Sequence, residues 1–247
     1  MNAECAPSPS LVVEEVAPAP PPVSRRLVRI QALLGFGSYS LFCLPYLRKI
    51  CGLERLDPGK RYLFASNHVS LLDTILLGAL CWRSGCYPIK VLGDKHVWHA
   101  SWIKRALSRH IGFLLDRNRL NPGRLKELTE FARSAAQFHL VVYPEGTRGD
   151  GVHVAPCQPG IYYIAQEAKI PIVPMFIANM QLVSTKSGRF HPIGGFRKID
   201  VHFGPPIPPE DYLDYSREEF AALIRQSIAA APSGQRAHAP SPALHPA

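Results

Sequence analysis

Short apolar runs alternate with longer helical stretches along the middle of the chain, between about residues 53 and 215. The short runs, rich in β-branched and aromatic residues, lie at 62–65, 89–92, 112–115, 139–143, 172–178 and 199–203. The stretches with helical spacing lie at 72–82, 102–108, 122–138 and 160–168. Strand followed by helix, repeated, predicts an α/β fold with a mixed, largely parallel sheet flanked by helices. In such sheets, chemistry collects where strands end and loops begin.

The two ends of the chain differ from this middle part. Residues 1–24 and 231–247 are rich in proline and small residues and have little apolar material to bury. We expect both to be disordered, because segments of this composition cannot offset the entropy lost on ordering. The length of 247 residues favours one folded domain, which we place at residues 53–230.

An apolar segment, residues 30–47, precedes this domain and contains no charged residue. Basic residues flank it on both sides, namely Arg25, Arg26 and Arg29 before it and Arg48 and Lys49 after it. The segment is slightly shorter than the roughly 20 residues that a spanning helix needs, and Pro45 interrupts one end. We therefore predict that residues 25–52 form a membrane-associating helical segment lying in the interface. A spanning helix and a buried helix of a soluble core are the alternatives.

Lysine and arginine outnumber aspartate and glutamate by 28 to 19, which gives a formal net charge of +9. An anionic partner is therefore expected, and a membrane surface, a phosphorylated substrate or a nucleic acid has the right sign. No nucleic-acid-binding module is recognisable, so we expect no nucleic-acid partner. The six cysteines form no Cys-x-x-Cys motif, which argues against a disulfide framework and favours a reducing compartment. His96 and His99 lack a second ligand cluster, so no metal site is expected.

The first motif is a histidine followed five residues later by an aspartate, where a predicted strand gives way to a predicted helix. This separation does not put two side chains on one face of a regular helix. A pairing needs His68 in the turn, capped by Ser66 or Asn67, and Asp73 in the first helical turn. Asp73 then accepts the Nδ1 proton of His68, and the other ring nitrogen can take a proton from a substrate hydroxyl. By spacing alone, a polar turn with a capping Asp73 is the favoured alternative.

Two further motifs follow predicted strands. The strand at 112–115 is followed by Asp-Arg-Asn-Arg, and its first arginine, Arg117, has the planar fork that suits a phosphate. A solvated loop end is the alternative. The strand at 139–143 leads into Pro-Glu-Gly-Thr-Arg, where glycine lets the backbone approach a ligand and Arg148 is a second candidate for an anionic group. Backbone N–H groups of this turn can also hold an anion.

The fourth motif is the apolar run Ile-Pro-Ile-Val-Pro-Met-Phe at residues 170–176. Two prolines in such a run predict an edge strand or the beginning of a strand. Plain packing is the favoured role, and lining an apolar-chain pocket is the functional alternative.

In this order and spacing, the four motifs resemble those of the 1-acylglycerol-3-phosphate acyltransferases and their glycerolipid acyltransferase relatives. That family has His-x4-Asp, an apolar strand ending in Arg, then Glu-Gly-Thr-Arg, then an apolar strand containing proline. The likeness covers about residues 60–180. It implies an α/β acyltransferase domain, an acyl donor carried on coenzyme A or acyl-carrier protein, no other cofactor and no metal.

The resemblance also implies roles for particular residues. His68 corresponds to the general base and Asp73 to the residue that orients it. The acceptor phosphate site corresponds to Arg117, Glu145, Gly146, Thr147 and Arg148, with Lys95 as a further candidate between the first two motifs. Many relatives carry Phe-Lys-x-Gly after the third motif, whereas this chain has Cys157-Gln158-Pro159-Gly160. The missing lysine removes one positive charge and leaves the acceptor open.

The implied reaction moves a fatty acyl group to the free hydroxyl of 1-acylglycerol-3-phosphate and gives phosphatidic acid. Acylation of another lysolipid, such as a lyso-ornithine lipid or a lysophospholipid, is the first alternative. A basic peripheral membrane protein without catalysis is the second. A serine hydrolase is disfavoured because no Gly-x-Ser-x-Gly occurs, and the nucleotide-binding glycine motifs are absent as well. We expect a membrane-associated protein whose catalytic domain faces the cytoplasm, at the inner or plasma membrane of a bacterium.

Overall fold

The computed structural model describes residues 22–116, 123–187 and 189–235, which form a seven-stranded sheet with helices on both faces. The strands are β1 (Leu47–Cys51), β2 (Leu63–Ser66), β3 (Ile89–Asp94), β4 (Gly112–Leu115), β5 (His139–Val142), β6 (Ile172–Ala178) and β7 (Ile199–Phe203). Their order is β1-β7-β6-β2-β5-β3-β4, and every neighbouring pair is parallel except β6 and β7. The predicted mixed, largely parallel sheet is confirmed. Arg117, most of the predicted N-terminal arm and most of the predicted tail lie outside the described residues.

The helices are α1 (Arg25–Ser38), α2 (Leu44–Tyr46), α3 (Leu71–Arg83), α4 (Lys95–His99), α5 (Trp102–Ile111), α6 (Gly123–Arg133), α7 (Gly160–Ala168), α8 (Met180–Val183) and α9 (Arg217–Ala230). A π-helical turn, Tyr39–Cys43, joins α1 to α2. All six predicted strands are present, and a helix lies within each of the four predicted helical stretches. Helix α9 was not predicted, although Ser216 and Glu219 begin it with a capping box, a signal that the sequence contains.

The sheet is buried on both faces because successive side chains along its strands point to opposite sides. In β2, Phe64 belongs to the core on one face, and Leu63 and Ala65 belong to the core on the other. Helices α3 and α5 cover the Phe64 face, with α1 packed on α3, while α6, α7 and α9 cover the opposite one. Burial on both sides explains why the strands read as continuous apolar runs.

Strand β1 corrects the prediction for residues 25–52. Instead of continuing the helical segment, residues Leu47–Cys51 form an edge strand that pairs in parallel with β7. Two side chains explain the change: Leu47 is buried in the core, and Arg48 forms an ion pair with Asp200 of β7. The flanking arginine that was expected on lipid headgroups therefore fixes the strand instead.

Strand β6 agrees with one of the two positions predicted from its prolines. Pro171 stands at the beginning of the strand, as one alternative predicted, but β6 is not an edge strand, because it lies between β7 and β2 near the middle of the sheet. Pro171 precedes the strand, and its carbonyl accepts a hydrogen bond from the N–H of Leu63 at 3.0 Å. The Pro174 carbonyl accepts from the N–H of Gly204, just past the end of β7. The backbone nitrogen and carbonyl of one strand residue face the same neighbouring strand, so the nitrogen of Pro174 faces β7. Because β7 has ended there, the N–H that proline lacks is not needed for the ladder.

The N-terminal helices lie against the domain along one narrow face. The Gln31 side chain donates to the carbonyls of Ile89 and His110 and accepts from the N–H of Ile89 at 2.8 Å. Gly35 packs directly on Trp82 of α3, since an added Cβ would lie 2.4 Å from that residue's Cβ. By length and hydropathy, the helical stretch Arg25–Tyr46 could cross a membrane. Within the protein, only 22% of its most apolar window is buried. It is not the buried core helix considered as an alternative.

The beginning of the predicted C-terminal tail is also structured. Ala231–Ser233 form a 3-10 turn that continues from α9, and Ala231 is buried. The prediction of disorder was therefore wrong for these residues, because the end of α9 packs them against β6 and β7.

Candidate active site

The turn between β2 and α3 is held by side chains on both sides of His68. The Asn67 amide pairs with the backbone of Ile177 in β6, donating at 3.0 Å and accepting at 2.7 Å. Asn67 therefore extends the hydrogen-bond ladder of the sheet. The prediction that Ser66 or Asn67 caps the turn was wrong. The cap is Ser70, with Asp73 completing the capping box. These contacts fix both ends of the four-residue turn.

Asp73 contacts His68 across this turn. Its Oδ2 lies 2.8 Å from Nδ1 of His68 and also accepts from the N–H groups of Val69 and Ser70, at 2.6 and 2.9 Å. Asp73 is fully buried, while the His68 side chain is 18% exposed. Because a carboxylate is an acceptor only, Nδ1 carries the proton and Nε2 is left with a lone pair. The capped turn and the His–Asp pair, weighed as alternatives in the sequence, are the same structure.

Tyr143 lies flat against the imidazole. The two ring centroids are 4.0 Å apart at an interplanar angle of 19°, and the Tyr143 hydroxyl lies 3.0 Å from Oγ1 of Thr74. Burial, followed by the charge of Asp73, raises the pKa of Tyr143 well above its usual value, so the phenol stays neutral. Tyr143 was not predicted as a site residue. The available signal was an aromatic residue at the end of β5, immediately before Pro144.

Glu145 connects the first motif to the third. Its carboxylate accepts from the N–H of His68 at 3.0 Å and from the N–H of Ala155 at 3.2 Å. The N–H of Gly149 in turn donates to the His68 carbonyl at 2.6 Å. Burial raises the pKa of Glu145, and the two backbone hydrogen bonds oppose that rise. The side chain thus points at backbone donors, a position suited to holding the His68 turn and unsuited to gripping a phosphate.

His68 and Tyr143 line a cleft of about 910 Å³ at the carboxyl ends of β3, β4 and β5. Gly146, Thr147 and Arg148 of the third motif line it, and the beginning of α7 reaches it through Pro159 and Gly160. Gly146 adopts a left-handed conformation with φ of +67°, which closes the turn. Helix N-termini and turn N–H groups favour anions, so this part of the cleft suits a phosphate.

The two other predicted cations have different outcomes. Lys95 is exposed at the beginning of α4 and is absent from the described residues that line the cleft, whereas Lys104 of α5 is one of them. Nothing in the spacing singled out Lys104, because α4 and α5 must fold back over β3 before it faces the cleft. Arg117 follows β4, which ends at the cleft, but the residue itself lies outside the described part of the chain.

Gln158 occupies the position where many relatives carry lysine. It lines the cleft, and its side chain packs under the third motif, since a Cβ added at Gly146 would lie 2.7 Å from its Cγ. The departure noted in the sequence therefore faces the site. A neutral amide stands there where a cation is common.

The apolar part of the cleft comes from strands β3, β4 and β5 and from the helices around them. Its large side chains include Leu71, Val91, Leu92, Trp98, Leu115 and Leu128. No residue of the fourth motif is among the described residues that line it; Ile172, Val173 and Met175 are buried in the two cores. That motif packs the sheet, as the sequence favoured. Among the described residues, no group of three His, Cys, Asp or Glu side chains could hold a metal ion.

Comparison with known proteins agrees with this geometry. The sequence profile of the acyltransferase family matches residues 48–178, which contain all four motifs. The chain belongs to the acyltransferase family. The resemblance seen in the motifs is thereby confirmed.

Individual relatives are similar over most of this chain. The 1-acyl-sn-glycerol-3-phosphate acyltransferase of Saccharomyces cerevisiae is 35% identical over 190 residues, covering 73% of this chain and 58% of that protein. The human 1-acyl-sn-glycerol-3-phosphate acyltransferase alpha is 27% identical over 186 residues, covering 73% and 62%. The chain thus matches about three fifths of the length of these relatives.

The crystal structure of the 1-acyl-sn-glycerophosphate acyltransferase PlsC from Thermotoga maritima shares the fold. It superposes with a TM-score of 0.59 over 83% of this chain and 78% of that one, at 19% sequence identity. The α/β acyltransferase fold predicted from the sequence is confirmed.

Proposed function

We propose that the protein transfers a fatty acyl group from acyl-CoA or acyl-carrier protein to the free hydroxyl of 1-acylglycerol-3-phosphate. The product is phosphatidic acid, a precursor of phospholipids. The observation that carries the proposal is the contact between Nδ1 of His68 and Oδ2 of Asp73, at 2.8 Å, on the wall of a cleft that Arg148 also lines. The names of the relatives described above state this acceptor, which supports the choice of substrate.

In the proposed reaction, His68 acts as a general base through Nε2. As the acceptor hydroxyl oxygen bonds to the thioester carbonyl carbon, Nε2 takes the hydroxyl proton. The tetrahedral intermediate then expels the thiolate by breaking the C–S bond, and the imidazolium returns the proton to that sulfur. A thiolate leaves readily, so no covalent enzyme intermediate and no cofactor beyond the acyl carrier are needed.

Three contacts prepare His68 for this role. Asp73 fixes the tautomer and stabilises the imidazolium that forms in the transition state. The Tyr143 ring, flat against the imidazole, fixes its plane and favours a cation over its π-face. Glu145 holds the His68 backbone, so it positions the base without touching the substrate.

The acceptor phosphate is proposed to bind between Arg148, Lys104 and the turn at Gly146 and Thr147. Arg148 offers a planar fork, and Lys104 of α5, which also lines the cleft, supplies a second positive charge. Arg117 remains a proposed phosphate ligand on the strength of the family resemblance. The N–H groups of Gly146 and Gly149 already donate to the carbonyls of Tyr143 and His68, so the oxyanion of the tetrahedral intermediate is proposed to accept from the N–H of Thr147 or Arg148.

Association with a membrane is part of the proposal. The exposed apolar side chains of the N-terminal helices, such as Leu33 and Leu41, and the exposed Arg25, Arg26 and Arg29 suit a helix lying in an anionic interface. The domain would then face the cytoplasm of a bacterium, where both candidate donors are made. Its proposed partners are membrane lipids, the lysolipid acceptor and the acyl carrier, with no nucleic acid.

The test offers the protein, in membranes or detergent, a labelled acyl group on either carrier together with a panel of lysolipids. We expect 1-acylglycerol-3-phosphate to be acylated and the His68→Ala variant to be inactive. Gln158 in the cleft favours testing the alternative acceptors, a lyso-ornithine lipid and lysophospholipids, in the same panel. Preferred acylation of one of these would replace the proposed acceptor, and transfer by His68→Ala at the wild-type rate would refute the mechanism.

A further inference from the structure

The loop between α8 and β7, residues 184–198, exposes three large apolar side chains in its described parts, 184–187 and 189–198. Ile193 is 91% exposed and Phe196 is 57% exposed, and Phe190 is exposed beside them. The loop also contains Lys186, Arg189, Arg197 and Lys198, and its sequence has no aspartate or glutamate. Soluble proteins rarely leave several large apolar side chains together on the surface without a partner for them.

The exposure is imposed by a defined backbone. The N–H of His191 donates to the Val183 carbonyl at 2.8 Å, and the N–H of Thr185 donates to the Arg189 carbonyl at 3.0 Å. Gly195 lies so close to α8 that an added Cβ would be 2.5 Å from Cγ2 of Val183. The loop is therefore fastened to α8, and Ile193 and Phe196 are held away from the core.

The same loop is joined to the end of the N-terminal helices. The N–H groups of Arg197 and Lys198 donate to the carbonyls of Pro45 and Tyr46, at 3.0 and 3.1 Å. The Phe190 ring meets the Tyr46 ring edge-on with centroids 5.8 Å apart. Next to these contacts lies Leu44, which is exposed, and one helical turn before it lies Leu41, which is 82% exposed.

We propose that the 184–198 loop and residues 41–46 form one surface that docks on an anionic lipid membrane. At an anionic membrane, apolar side chains enter the interface while lysine and arginine bind headgroup phosphates. The proposed surface has both kinds of side chain and no carboxylate that would repel the headgroups. The adjoining helical stretch is itself long and apolar enough to enter a bilayer. The choice of lipid as the occupant rests in part on the proposed function, whose acceptor is a membrane lipid.

One contact relates this surface to the candidate active site. The Ser184 hydroxyl, where the loop begins, accepts a hydrogen bond from the Ser70 hydroxyl at 2.8 Å. Ser70 caps α3 and follows His68 by two residues. A membrane bound at the loop would thus lie beside the helix that carries Asp73, which shortens the path of a lipid acceptor to the cleft.

The experiment measures flotation of the full chain with vesicles of phosphatidylcholine alone or mixed with phosphatidylglycerol. We expect the double variant Ile193→Ser/Phe196→Ser to lower the partition coefficient at least about tenfold, because two large apolar side chains no longer enter the interface. The matched control is Val152→Ser, which removes a side chain that is 60% exposed on a different loop, and it should bind like the wild type.

A second pair of variants tests the charge. Arg189→Gln/Lys198→Gln should weaken binding to the phosphatidylglycerol vesicles and leave binding to pure phosphatidylcholine nearly unchanged. Raising the salt concentration should reproduce this loss in the wild type, since exposed charges are screened. The control is Arg217→Gln on α9, which lies outside the proposed surface and should change neither.

Hydrogen exchange of the wild type keeps the test independent of any folding defect in the variants. Peptides covering residues 184–198 and 39–46 should gain protection when anionic vesicles are added. Absence of protection there, or equal flotation of Ile193→Ser/Phe196→Ser and the wild type, would overturn the proposal. Light scattering provides a further test. If the wild type is a dimer, the double variant is a monomer and neither binds vesicles, then a second copy of the chain covers the surface and the proposal is overturned.

Acyl transfer to detergent-dispersed acceptor separates this proposal from the proposed function. The loop variants should keep wild-type turnover in detergent, since none of their residues lines the cleft among the described residues. A wild type that floats with vesicles but transfers no acyl group would refute the proposed function and leave the docking surface supported.

Discussion

The two sides of the cleft differ in how firmly their functional side chains are held. On the base side, Asp73 is fully buried and one of its oxygens accepts three hydrogen bonds, while Tyr143 lies on the ring of His68. On the acceptor side, the side chains of Arg148 and Lys104 are half-buried, and neither has a hydrogen-bond partner among the described residues. The base side is built before substrate arrives, whereas the acceptor side has donors that find no acceptor among the described residues and that a ligand or water can use.

This difference in rigidity indicates that the base side controls the rate of the chemical step and the acceptor side controls which acceptor binds. A general base must be held within about 0.5 Å of its productive position, so its rigidity is needed for the chemistry. Cations that exchange water for phosphate can tolerate more freedom, and changes there alter which acceptor binds. We therefore expect substitutions on the base side to lower kcat and substitutions on the acceptor side to raise KM.

The largest effect is expected for His68→Ala. Loss of a positioned general base should lower kcat by about 10²–10⁴-fold and leave the acceptor KM within a few-fold. The measurement is steady-state acyl transfer, with circular dichroism to verify folding. His153→Ala is the matched control, because His153 also meets an aspartate, Asp150, at 2.9 Å, but with its side chain 82% exposed. Equal losses in both variants would remove the distinction between the two pairs.

A smaller effect, on KM instead of kcat, is expected for Arg148→Ala. A hydrogen bond to a charged group contributes about 1.5–3 kcal/mol, so the acceptor KM should rise by about 10–100-fold. The kcat at saturation should change little, and the KM for the acyl donor should stay near its wild-type value. Arg133→Ala on α6 serves as a control, since that arginine pairs with Glu167 on the surface. An unchanged acceptor KM would count against the phosphate site.

A still smaller effect is expected at Tyr143, whose ring contacts the base. Tyr143→Leu removes the aromatic face and should lower kcat by about 2–10-fold, as expected for an aromatic contact of about 0.5–1.5 kcal/mol. Tyr143→Phe keeps the ring and loses only the hydroxyl contact with Thr74, so it should retain most of the activity. If instead Tyr143→Phe is as slow as Tyr143→Leu, the hydroxyl and not the ring is what matters.

The smallest effect on turnover is expected at His139, at the opposite end of β5 from Tyr143. Burial, and then the charge of Arg61, lowers the pKa of His139 from its ordinary 6.5 to about 4. Because the unfolded chain binds the proton first, stability is complete above pH 6.5 and declines as the pH falls towards 4, by about 3 kcal/mol in all. His139→Gln should reduce that decline in urea unfolding and leave kcat at neutral pH unchanged. A decline of the same size in the variant would assign it to other groups.

These predictions depend on features that the sequence exposed to different degrees. The strands were predictable because burial on both faces makes them apolar runs. The His68–Asp73 pair was identified through its likeness to the family's His-x4-Asp motif, because its spacing alone favoured a capped turn. Strand β1 was not, because its place at the sheet edge depends on Arg48 meeting Asp200 about 150 residues later in the chain. The central position of β6 was also hidden, since its prolines are tolerated only because β7 ends beside Pro174.

The sequence by itself determined the α/β class, the motifs that place the chain in the acyltransferase family, and the residues of the His–Asp pair. These follow from local patterns, namely apolar periodicity and residue types at fixed short spacings. Only the tertiary structure decided that Tyr143 stacks on His68, that Glu145 holds the His68 backbone, and that Lys104 instead of Lys95 lines the cleft. The physical reason is that each of these contacts joins segments distant in sequence, and which side chains meet depends on how the strands are ordered in the sheet.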